Sequence, residues 1–486
     1  MRKRKCYWLL FMSAFAWLTS CSDDSNVGGS KFDPNKPIEI TEFYPDSGGV
    51  ATPMILEGRN FGADTIGMKV YFEDADGIKH RAGLVSSNGS KIYLIVQSGL
   101  TYKREMNLIV ERQMPGGETY EGKAQDQFIY RTQTSVTTVI GQAAPDNAQN
   151  TVGKDLTTTT LSSPSYICLD DEDNIFITEK EWWAPDPTQK PRNDKGEGVK
   201  GNIVMASLKT NSVIVLKYGT EYINAPAFSD EKDNEAVYIP DDSGMKYYGL
   251  IKILSYAPRY LSAIKTDDIK DITDGNWKHS FVVNKLDHQI YTVMQKGQFV
   301  RINPKTRVAK ILLKKISNES DGSDTFIAFS PVKGQENMLY MSLAMSNQIW
   351  RVDVGALEDK DPETYRGEPY AGKAIVEGRE NGRGWEDGLL KNAKFNCPRQ
   401  ICFTTDGKLY IADARNHCIR LIDTTLPKDK AVVTTPIGLP GAGGYKDGGP
   451  EIAKFRYPCG VAVSADGNIV YVADAQNKVI RKLSIE

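Results

Sequence analysis

The chain has 486 residues, of which 40% are hydrophobic, and this is enough for two or three domains that each bury a core. The 60 Lys and Arg residues nearly balance the 62 Asp and Glu residues, so the net charge is −2. Outside a short basic run at the extreme N-terminus the sequence has no basic block, and a nucleic-acid partner is therefore not expected.

Residues 1–20 have the pattern of a signal peptide. A positive segment, residues 2–5, precedes an apolar run, residues 6–17, that is too short to be a permanent membrane span. The next four residues, LTSC, end at Cys21 and resemble a bacterial lipobox, whose cysteine is acylated after cleavage. The resemblance implies a membrane anchor at Cys21. An ordinary secretory signal with a chance cysteine is the alternative.

Residues 21–36 are polar, acidic and glycine-containing, which predicts a flexible tether. Asp23 and Asp24 directly follow the cysteine. This arrangement resembles the export signal on surface lipoproteins of glycan-degrading Gram-negative gut bacteria. It implies a protein anchored in the outer membrane and facing the cell exterior.

Residues 37–131 alternate apolar and polar side chains in short runs that Pro and Gly interrupt, a pattern typical of antiparallel strands joined by turns. The pattern predicts an immunoglobulin-like β-sandwich. A set of residues in this segment resembles the core motif of the IPT/TIG domain: Pro45, Ser47, Gly48, Gly58, Asn60, Phe61 and Gly62. The resemblance implies a spacer or interaction module without a ligand of its own.

The C-terminal part of the chain contains an internal repeat. LYIADARNHCIRLI at residues 409–422 recurs as VYVADAQNKVIRKL at residues 470–483. Each copy follows a glycine-rich loop that ends in Asp-Gly, then Ala-Lys-Phe, a proline and an apolar strand. These units resemble NHL repeats, which form the blades of a β-propeller.

Four earlier segments keep the rhythm of an apolar strand followed by a second, aromatic-bearing strand, which gives six blades over residues 132–486. A propeller must also close its ring so that no strand edge stays open. TSVTTVIG at residues 134–141 resembles AVVTTPIG at residues 431–438 and is predicted to supply the outer strand of the last blade. The expected fold class is therefore all-β: an N-terminal Ig-like (IPT/TIG) sandwich followed by a six-bladed NHL-type propeller.

Cysteine and histidine give no sign of a metal site. The cysteines after Cys21 are odd in number and lie in strand-like runs or beside prolines, so we expect buried small apolar residues rather than a disulfide framework. No pair has CxxC spacing, and no catalytic nucleophile motif is recognisable. We expect neither a catalytic residue, nor a metal, nor a cofactor.

Polar residues at equivalent positions of the two clear repeats have a structural interpretation. Asp and Asn recur after the second strand, as a turn-stabilising hydrogen-bond pair would, and an Arg recurs in the third strand. We predict structural roles for all six: Asp413, Asn416, Arg420, Asp474, Asn477 and Arg481.

Aromatic residues in the loops are the candidate binding residues. Their loops, from outer to next inner strand or from second to third strand, are expected to open on one face of the propeller. This set comprises Trp182, Trp183, Tyr247, Tyr248, Trp277, Trp385 and Tyr445. Their expected hydrogen-bonding neighbours are Asp186, Arg192, Asn193, Asp242, Arg379, Asn381 and Asp387.

An exposed aromatic ring offers an apolar face to the C–H groups of a sugar, while nearby polar side chains bond its hydroxyls. The sequence therefore predicts a non-catalytic, glycan-binding surface lipoprotein. The implied partners are the glycan and an outer-membrane oligosaccharide importer. The alternatives are a propeller hydrolase or lyase acting on carbohydrate, and a protein-interaction scaffold of the importer complex.

Overall fold

The computed structural model describes residues 31–49, 52–75, 77–96, 105–130, 134–142, 155–180, 201–219, 221–265, 276–318, 324–373, 382–467 and 469–485. The chain forms two compact units, one that ends at Thr132 and one that spans Gln133–Ile485. No helix in the described ranges is long and apolar enough to cross a membrane. These ranges contain no α-helix, only β-strands and short 3₁₀ turns at Lys252–Leu254, Val354–Ala356, Ala414–Asn416 and Ala475–Asn477. The all-β prediction is confirmed.

The N-terminal unit contains two sheets, in the orders β1-β3-β7-β6 and β2-β9-β8-β4-β5. Its strands are β1 (Glu39–Tyr44), β2 (Ser47–Gly48), β3 (Pro53–Gly62), β4 (Met68–Glu73), β5 (Lys79–Arg81), β6 (Gly83–Ser87), β7 (Gly89–Ile95), β8 (Glu105–Gln113) and β9 (Thr119–Tyr130). Alternate residues of both sheets enter one apolar core, which includes Met54, Phe72, Ile92 and Phe128. This shared core holds the two sheets together.

The Asn-Phe-Gly segment of this unit stabilises a turn and the core. Asn60 has a positive φ of 61°, and its amide bonds the backbone of Asp33 and Lys36. Phe61 is buried in the shared core. A Cβ on Gly58 would lie 2.0 Å from the carbonyl oxygen of Glu39, so only glycine fits there. These motif residues therefore contribute to folding.

The second unit begins with β10 (Thr134–Ile140) and continues as six sheets. Sheet 1 contains β11 (Pro164–Leu169), β12 (Asn174–Lys180), β13 (Gly201–Ser207) and β14 (Ser212–Gly219); sheet 2 contains β15 (Ala227–Ser229), β16 (Ala236–Pro240), β17 (Lys246–Ile251) and β18 (Pro258–Ser262). Sheet 3 contains β19 (Ile264–Lys265), β20 (Val282–Val283), β21 (Ile290–Val293), β22 (Phe299–Ile302) and β23 (Val308–Leu313); sheet 4 contains β24 (Thr325–Phe329), β25 (Met338–Leu343), β26 (Gln348–Asp353) and β27 (Glu368–Ala371). Sheet 5 contains β28 (Gly388–Leu389), β29 (Pro398–Phe403), β30 (Lys408–Asp413), β31 (Cys418–Asp423) and β32 (Val432–Ile437); sheet 6 contains β33 (Pro458–Val463), β34 (Val470–Asp474) and β35 (Val479–Ile485).

Four antiparallel strands form the body of each sheet, and we number them first to fourth in order of pairing. The first strands are β11, β15, β20, β24, β29 and β33. The short strands β19 and β28 add to the fourth strands of sheets 3 and 5. Strands with a neighbouring sheet on both faces are buried on both of them: every residue of β11 and of β29 is buried. Burial on both faces accounts for the apolar runs of the repeat, such as Ile401–Phe403 in β29.

The six first strands contact one another in a closed cycle, β11-β15-β20-β24-β29-β33 and back to β11. Sheet 5 and sheet 1 are also joined directly, past sheet 6, which lies between them in the cycle. The side chain of Gln400 on β29 exchanges two hydrogen bonds with the backbone of Ile167 on β11, at 2.7 and 3.1 Å. It passes Gly460 on β33, where a Cβ would lie 3.0 Å from the Gln400 oxygen. The missing side chain of Gly460 thus permits the bridge.

The N-terminal strand β10 is the fourth strand of sheet 6. It pairs antiparallel with β35, from Thr134 opposite Ile485 to Ile140 opposite Ile480. Val136 and Ile140 are fully buried. The two ends of the second unit are therefore joined within one sheet.

A repeated polar group stabilises sheets 5 and 6. In sheet 5, Asp413 accepts hydrogen bonds from Asn416 at 2.8 Å and from Arg420 at 2.9 Å. Arg420 also contacts Asp387 at 2.8 Å. Sheet 6 repeats the arrangement with Asp474, Asn477, Arg481 and Asp447 at matching positions. The structural interpretation of these residues is confirmed.

The Asp413–Arg420 and Asp474–Arg481 ion pairs are completely buried. Burial raises the pKa of Asp413 and of Asp474 to about 6, although the neighbouring Arg opposes the shift. Both carboxyls are therefore ionised at neutral pH, opposite a guanidinium that is always charged. Each pair fixes the turn after the second strand to the third strand of its sheet.

The five cysteines of the described residues are free and buried, as the sequence predicts: Cys168, Cys397, Cys402, Cys418 and Cys459. Burial raises the pKa of the thiols of Cys168, Cys402, Cys418 and Cys459. These four thiols are therefore protonated and unreactive at neutral pH.

The seam between β10 and β35 can be tested by truncation. A chain that begins at residue 150 lacks β10 and leaves the edge of β35 unpaired, so it should aggregate or lose its cooperative unfolding transition. A chain that begins at residue 131 retains β10 and should unfold cooperatively. Thermal unfolding and size-exclusion chromatography measure both properties. Equal stability of the two chains would contradict the role of the seam.

Replacing Arg481 by Met should lower the free energy of unfolding by about 3–5 kcal/mol, because Asp474 would stay buried without its partner. Arg301→Met is the matched control, since Arg301 lies on the third strand of sheet 3 but is only half-buried. Its cost should be about 1 kcal/mol, because Arg301 loses a hydrogen bond to Tyr291. Chemical denaturation gives both values, and a similar loss in the two variants would refute the buried pair.

Candidate functional site

One end of the second unit collects the loops that carry the candidate residues. Because neighbouring strands alternate in direction, first strands begin and second strands end at the same end of every sheet. We call this end the loop face. It is marked by the starts of the first strands at Pro164, Ala227, Val282, Thr325, Pro398 and Pro458.

Trp385 and Tyr445 are exposed and occupy equivalent positions before sheets 5 and 6. Their exposed fractions are 49% and 44%. The Trp385 indole N–H donates to Thr435 on the fourth strand of sheet 5, at 2.9 Å. The Tyr445 hydroxyl lies 2.8 Å from that of Thr138 on β10. Both aromatic side chains are thus fixed beside fourth strands, at the outer edge of the cycle of sheets.

The other predicted aromatic residues are three tryptophans and two tyrosines. Trp277 is half-buried and precedes the first strand of sheet 3. Trp182 and Trp183 lie outside the described residues, as does Cys21. The predicted neighbours Asp186, Arg192, Asn193, Arg379 and Asn381 also lie outside them.

Tyr247 and Tyr248 are not loop residues, and this part of the prediction is wrong. Both belong to β17 and are 0% and 2% exposed. Successive strand residues point to opposite faces, and both faces of sheet 2 are covered. Tyr247 therefore packs in the core with sheet 3, and Tyr248 in the core with sheet 1. Neither residue is available to a ligand.

A set of polar side chains lies near the starts of the first strands, at the centre of the loop face. We call it the polar cluster. It is assembled from strands and loops of sheets 1 to 5. Its members are Lys180, Asn224, Asp242, His279, Asp324 and Arg399.

Lys180, at the end of β12, occupies one side of the polar cluster. Its ammonium donates to the Asn224 amide oxygen at 2.8 Å and to Asp242 at 3.2 Å. The Asn224 amide N–H groups donate to Asp242 and to the carbonyl of Lys278, the latter at 2.9 Å. Sheet 1 and the loops around sheet 2 are joined by these bonds.

His279, Asp324 and Arg399 form the other side. The Nδ1 atom of His279 lies 3.1 Å from one oxygen of Asp324, and Arg399 approaches the second oxygen at 3.4 Å. Arg399 also donates to the hydroxyl of Tyr166 on β11, at 2.7 Å. Asp324 is thus held between a histidine and an arginine from different sheets.

Backbone contacts between sheets position these side chains. The Ala225 N–H donates to the carbonyl of His279 at 3.1 Å. The Ser342 hydroxyl donates to the carbonyl of Arg399 at 2.6 Å. The main chain that carries the polar cluster is therefore anchored to neighbouring sheets.

The charges of the polar cluster nearly cancel. Burial lowers the pKa of His279 to about 4, so the imidazole is neutral at pH 7. Burial alone would raise the pKa of Asp324, but the positive charges of Arg399 and Lys180 hold it below its usual value. Burial also lowers the pKa of Lys180, against the attraction of Asp242. Two cations and two carboxylates remain around a neutral imidazole.

Such a set offers hydrogen-bond donors and acceptors without a large net charge. This combination suits a neutral, hydroxyl-rich ligand, each hydroxyl of which both donates and accepts. Within the described ranges no three His, Cys, Asp or Glu side chains are grouped as metal ligands would be. The polar cluster itself offers hydrogen-bond donors, hydrogen-bond acceptors and one Asp-His pair.

The sequence did not reveal the polar cluster, although two of the proposed neighbours are now placed. Asp242 belongs to the cluster, whereas Asp387 is bonded to Arg420 and Thr435. A weak signal was present, because His279 and Asp324 stand just before the apolar runs FVV and TFIAF. The positions differ from sheet to sheet, so no repeat pattern identifies them.

The buried His279 gives a pH dependence with a definite sign. Its folded pKa of about 4 lies below the unfolded value of 6.5, so the unfolded chain binds the proton more tightly. The contribution of the neutral His279 to the free energy of unfolding is fully present above pH 6.5 and is lost as the pH falls towards 4. Compared with His279→Gln, the wild type should therefore lose ~3 kcal/mol of unfolding free energy over this interval. Denaturation series at several pH values measure the difference, and parallel curves would disprove the buried neutral imidazole.

Comparison with known proteins identifies one repeat directly. The NHL repeat family matches residues 395–420, which include β29 and β30 of sheet 5. A chloroplast protein of Arabidopsis thaliana, SUPPRESSOR OF QUENCHING 1, is 30% identical over 119 residues, which are 24% of this chain and 10% of that protein. NHL repeat-containing protein 2 of Gallus gallus is 35% identical over 101 residues, 21% of this chain and 13% of that protein. The chain thus spans about a tenth of the length of these curated relatives.

Solved structures resemble nearly the whole chain. An auxiliary nutrient binding protein of Bacteroides ovatus matches with a TM-score of 0.62 and 18% identity, over 94% of this chain and 100% of that chain. An auxiliary nutrient binding protein of Bacteroides thetaiotaomicron matches with a TM-score of 0.57 and 21% identity, over 94% and 99%. At these identities the likeness shows a common fold. The chain therefore carries an NHL repeat within an all-β fold that it shares with Bacteroides proteins.

Proposed function

We propose that the protein is a non-catalytic, glycan-binding lipoprotein of the outer membrane that captures oligo- or polysaccharide for an importer. In this proposal Cys21 carries the lipid and residues 21–36 form the tether. Residues 37–131 form an Ig-like IPT/TIG spacer, and residues 132–486 form a six-bladed NHL-type propeller closed by β10. The loop face of the propeller binds the glycan.

The observation that carries the proposal is the composition of the loop face. Exposed aromatic rings lie at its edge, and a charge-balanced set of donors and acceptors lies at its centre. A sugar chain needs both, because its rings have apolar C–H faces and its rim carries hydroxyls. The fold that the chain shares with auxiliary nutrient binding proteins of Bacteroides supports the same role.

The proposed binding residues are Trp182, Trp183, Trp277, Trp385 and Tyr445. Trp385 and Tyr445 have the strongest support, since each ring is exposed while its polar atom is bonded to a fourth strand. A ring held in this way loses little conformational freedom when a sugar stacks on it. Binding would therefore use a surface that is already formed.

A carbohydrate-active hydrolase or lyase is the second candidate, and the His279–Asp324 pair favours it. With Nδ1 facing Asp324, the Nε2 atom of a neutral imidazole is left as a base. The buried position of His279 argues against direct contact with a polymer, because its side chain is 5% exposed. We therefore favour glycan capture over catalysis as the function of the protein.

Trp385→Ala and Tyr445→Ala should each weaken glycan binding about threefold to twelvefold, because a stacking contact is worth about 0.5–1.5 kcal/mol. Affinity gels with a panel of plant and host polysaccharides measure the change. Tyr365→Ala is the matched control, since Tyr365 lies in a loop at the opposite end of sheet 4. Its binding should equal that of the wild type.

The same panel separates capture from catalysis. Unchanged retention of the Trp385→Ala, Tyr445→Ala double variant would remove the aromatic residues from the site. Release of shorter products by the wild type, abolished in His279→Ala, would establish the enzyme instead. If none of the polysaccharides retains the wild type, the proposed function itself is overturned.

A further inference from the structure

Tyr260 is an exposed aromatic residue of sheet 2 that the sequence did not single out. It lies on β18, the fourth strand of that sheet, and is 44% exposed, the same fraction as Tyr445. Fourth strands end at the loop face, because neighbouring strands alternate in direction. The edge of the loop face therefore carries an exposed ring in sheet 2 as well, besides Trp385 and Tyr445.

The hydroxyl of Tyr260 is fixed to the loop-face end of the second strand. It donates to the carboxylate of Asp241, which directly follows β16 and is completely buried. Asp241 in turn accepts from the backbone N–H of Ser243 at 2.8 Å, and the Lys278 ammonium lies 3.7 Å away. Burial and the bond to Asp241 raise the pKa of Tyr260, so its hydroxyl remains a donor at neutral pH.

A second contact fixes the plane of the Tyr260 ring. Tyr248 lies directly opposite on β17, and the two ring centroids are 4.7 Å apart at an interplanar angle of 35°. The buried Tyr248 thus covers one side of the Tyr260 ring, and the exposed surface belongs to the other side. A ring held at its hydroxyl and on one side loses little conformational freedom when a sugar stacks on it.

One turn joins Tyr260 to the polar cluster. Asp241 and Asp242 are consecutive, but their carboxylates have different partners, since Asp241 bonds Tyr260 and Asp242 bonds Lys180. The backbone N–H of Asp242 also donates to the carbonyl of Tyr222 at 2.9 Å, and the Tyr222 ring lies 5.8 Å from the Lys180 ammonium. The side chain of Asp242 keeps 13% exposure. The edge and the centre of the loop face are therefore connected through this turn.

We propose that Tyr260 is a sugar-stacking residue, and that the ligand is a glycan chain that passes from Tyr260 over this turn to the carboxylate of Asp242. One sugar stacks on the open side of the Tyr260 ring. Asp242 accepts a hydrogen bond from a hydroxyl of another sugar in the same chain. This inference rests on the proposed glycan capture. It adds a subsite on sheet 2 and the class of ligand, a chain of sugars rather than a single sugar.

Tyr260→Ala and Tyr260→Phe separate the ring from its hydroxyl. Both variants lose the bond to Asp241 and share its cost in stability, but only Tyr260→Phe keeps an aromatic ring against Tyr248. Tyr365→Ala is the matched control, because it deletes a tyrosine ring from a loop at the opposite end of sheet 4. Migration of the four proteins is compared in gels that contain xyloglucan, galactomannan, laminarin, polygalacturonate or chondroitin sulfate.

We expect at least one of these polysaccharides to retain the wild type, and Tyr260→Ala to weaken that retention about threefold to twelvefold. Tyr260→Phe and Tyr365→Ala should stay within about twofold of the wild type, because neither removes the stacking ring. Oligosaccharides prepared from the retaining polysaccharide should release the wild type at a concentration about tenfold lower than its monosaccharide does, because a chain makes both contacts. Thermal unfolding confirms that the variants are folded.

Three outcomes overturn the inference and leave glycan capture intact. The first is retention that Tyr260→Ala does not change, and the second is release by the monosaccharide as effective as release by the oligosaccharides. The third is a loss in Tyr260→Phe as large as that in Tyr260→Ala, which would assign the effect to the hydroxyl and the turn instead of the ring. An equal loss in Tyr365→Ala would likewise refute a local subsite. If no gel retains the wild type, glycan capture is overturned as well.

Discussion

The second unit depends on the pairing of β10 with β35. The first strands contact one another in a cycle, but sheet 6 has only three strands from the C-terminal end of the chain. Its fourth strand comes from residues more than 300 positions earlier. Pairing with β10 covers the edge of β35, whose backbone groups and apolar side chains would otherwise be exposed. Thr138 on the same strand also fixes Tyr445, so closure and the candidate surface are linked.

Buried polar groups play two different roles in this unit. The Asp413–Arg420 and Asp474–Arg481 pairs are fully buried and recur at equivalent positions, so they stabilise the repeat itself. The polar cluster does not recur, and its members come from different sheets. Its Asp242 and Asp324 side chains retain 13% and 17% exposure, whereas its cations are more deeply buried. Carboxylate oxygens are thus the part of the cluster nearest to solvent, where a hydroxyl-rich ligand would meet them.

The exchange of Glu386 in the loop before sheet 5 for Lys446 in the loop before sheet 6 shows how a repeat can change its surface without changing its fold. Both loops keep the same antiparallel bridge, to Lys394 and to Lys454, and the same contact of an Asp with the buried Arg of the third strand. The side chains that hold the loop are therefore separate from those that face solvent. Substitution on the exposed side changes the surface charge, while the buried side maintains the geometry.

The sequence by itself determined the all-β class, the repeated Asp, Asn and Arg group, the buried cysteines and the strand that resembles the outer strand of the last repeat. These features depend on local spacing, which every copy of the repeat preserves. The burial of Tyr247 and Tyr248 was decided only by the tertiary structure, because β17 begins one residue before them and neighbouring sheets cover both of its faces. The polar cluster was also decided there. Lys180, His279 and Arg399 are far apart in the chain, and only the circular packing of the sheets brings their side chains to one centre.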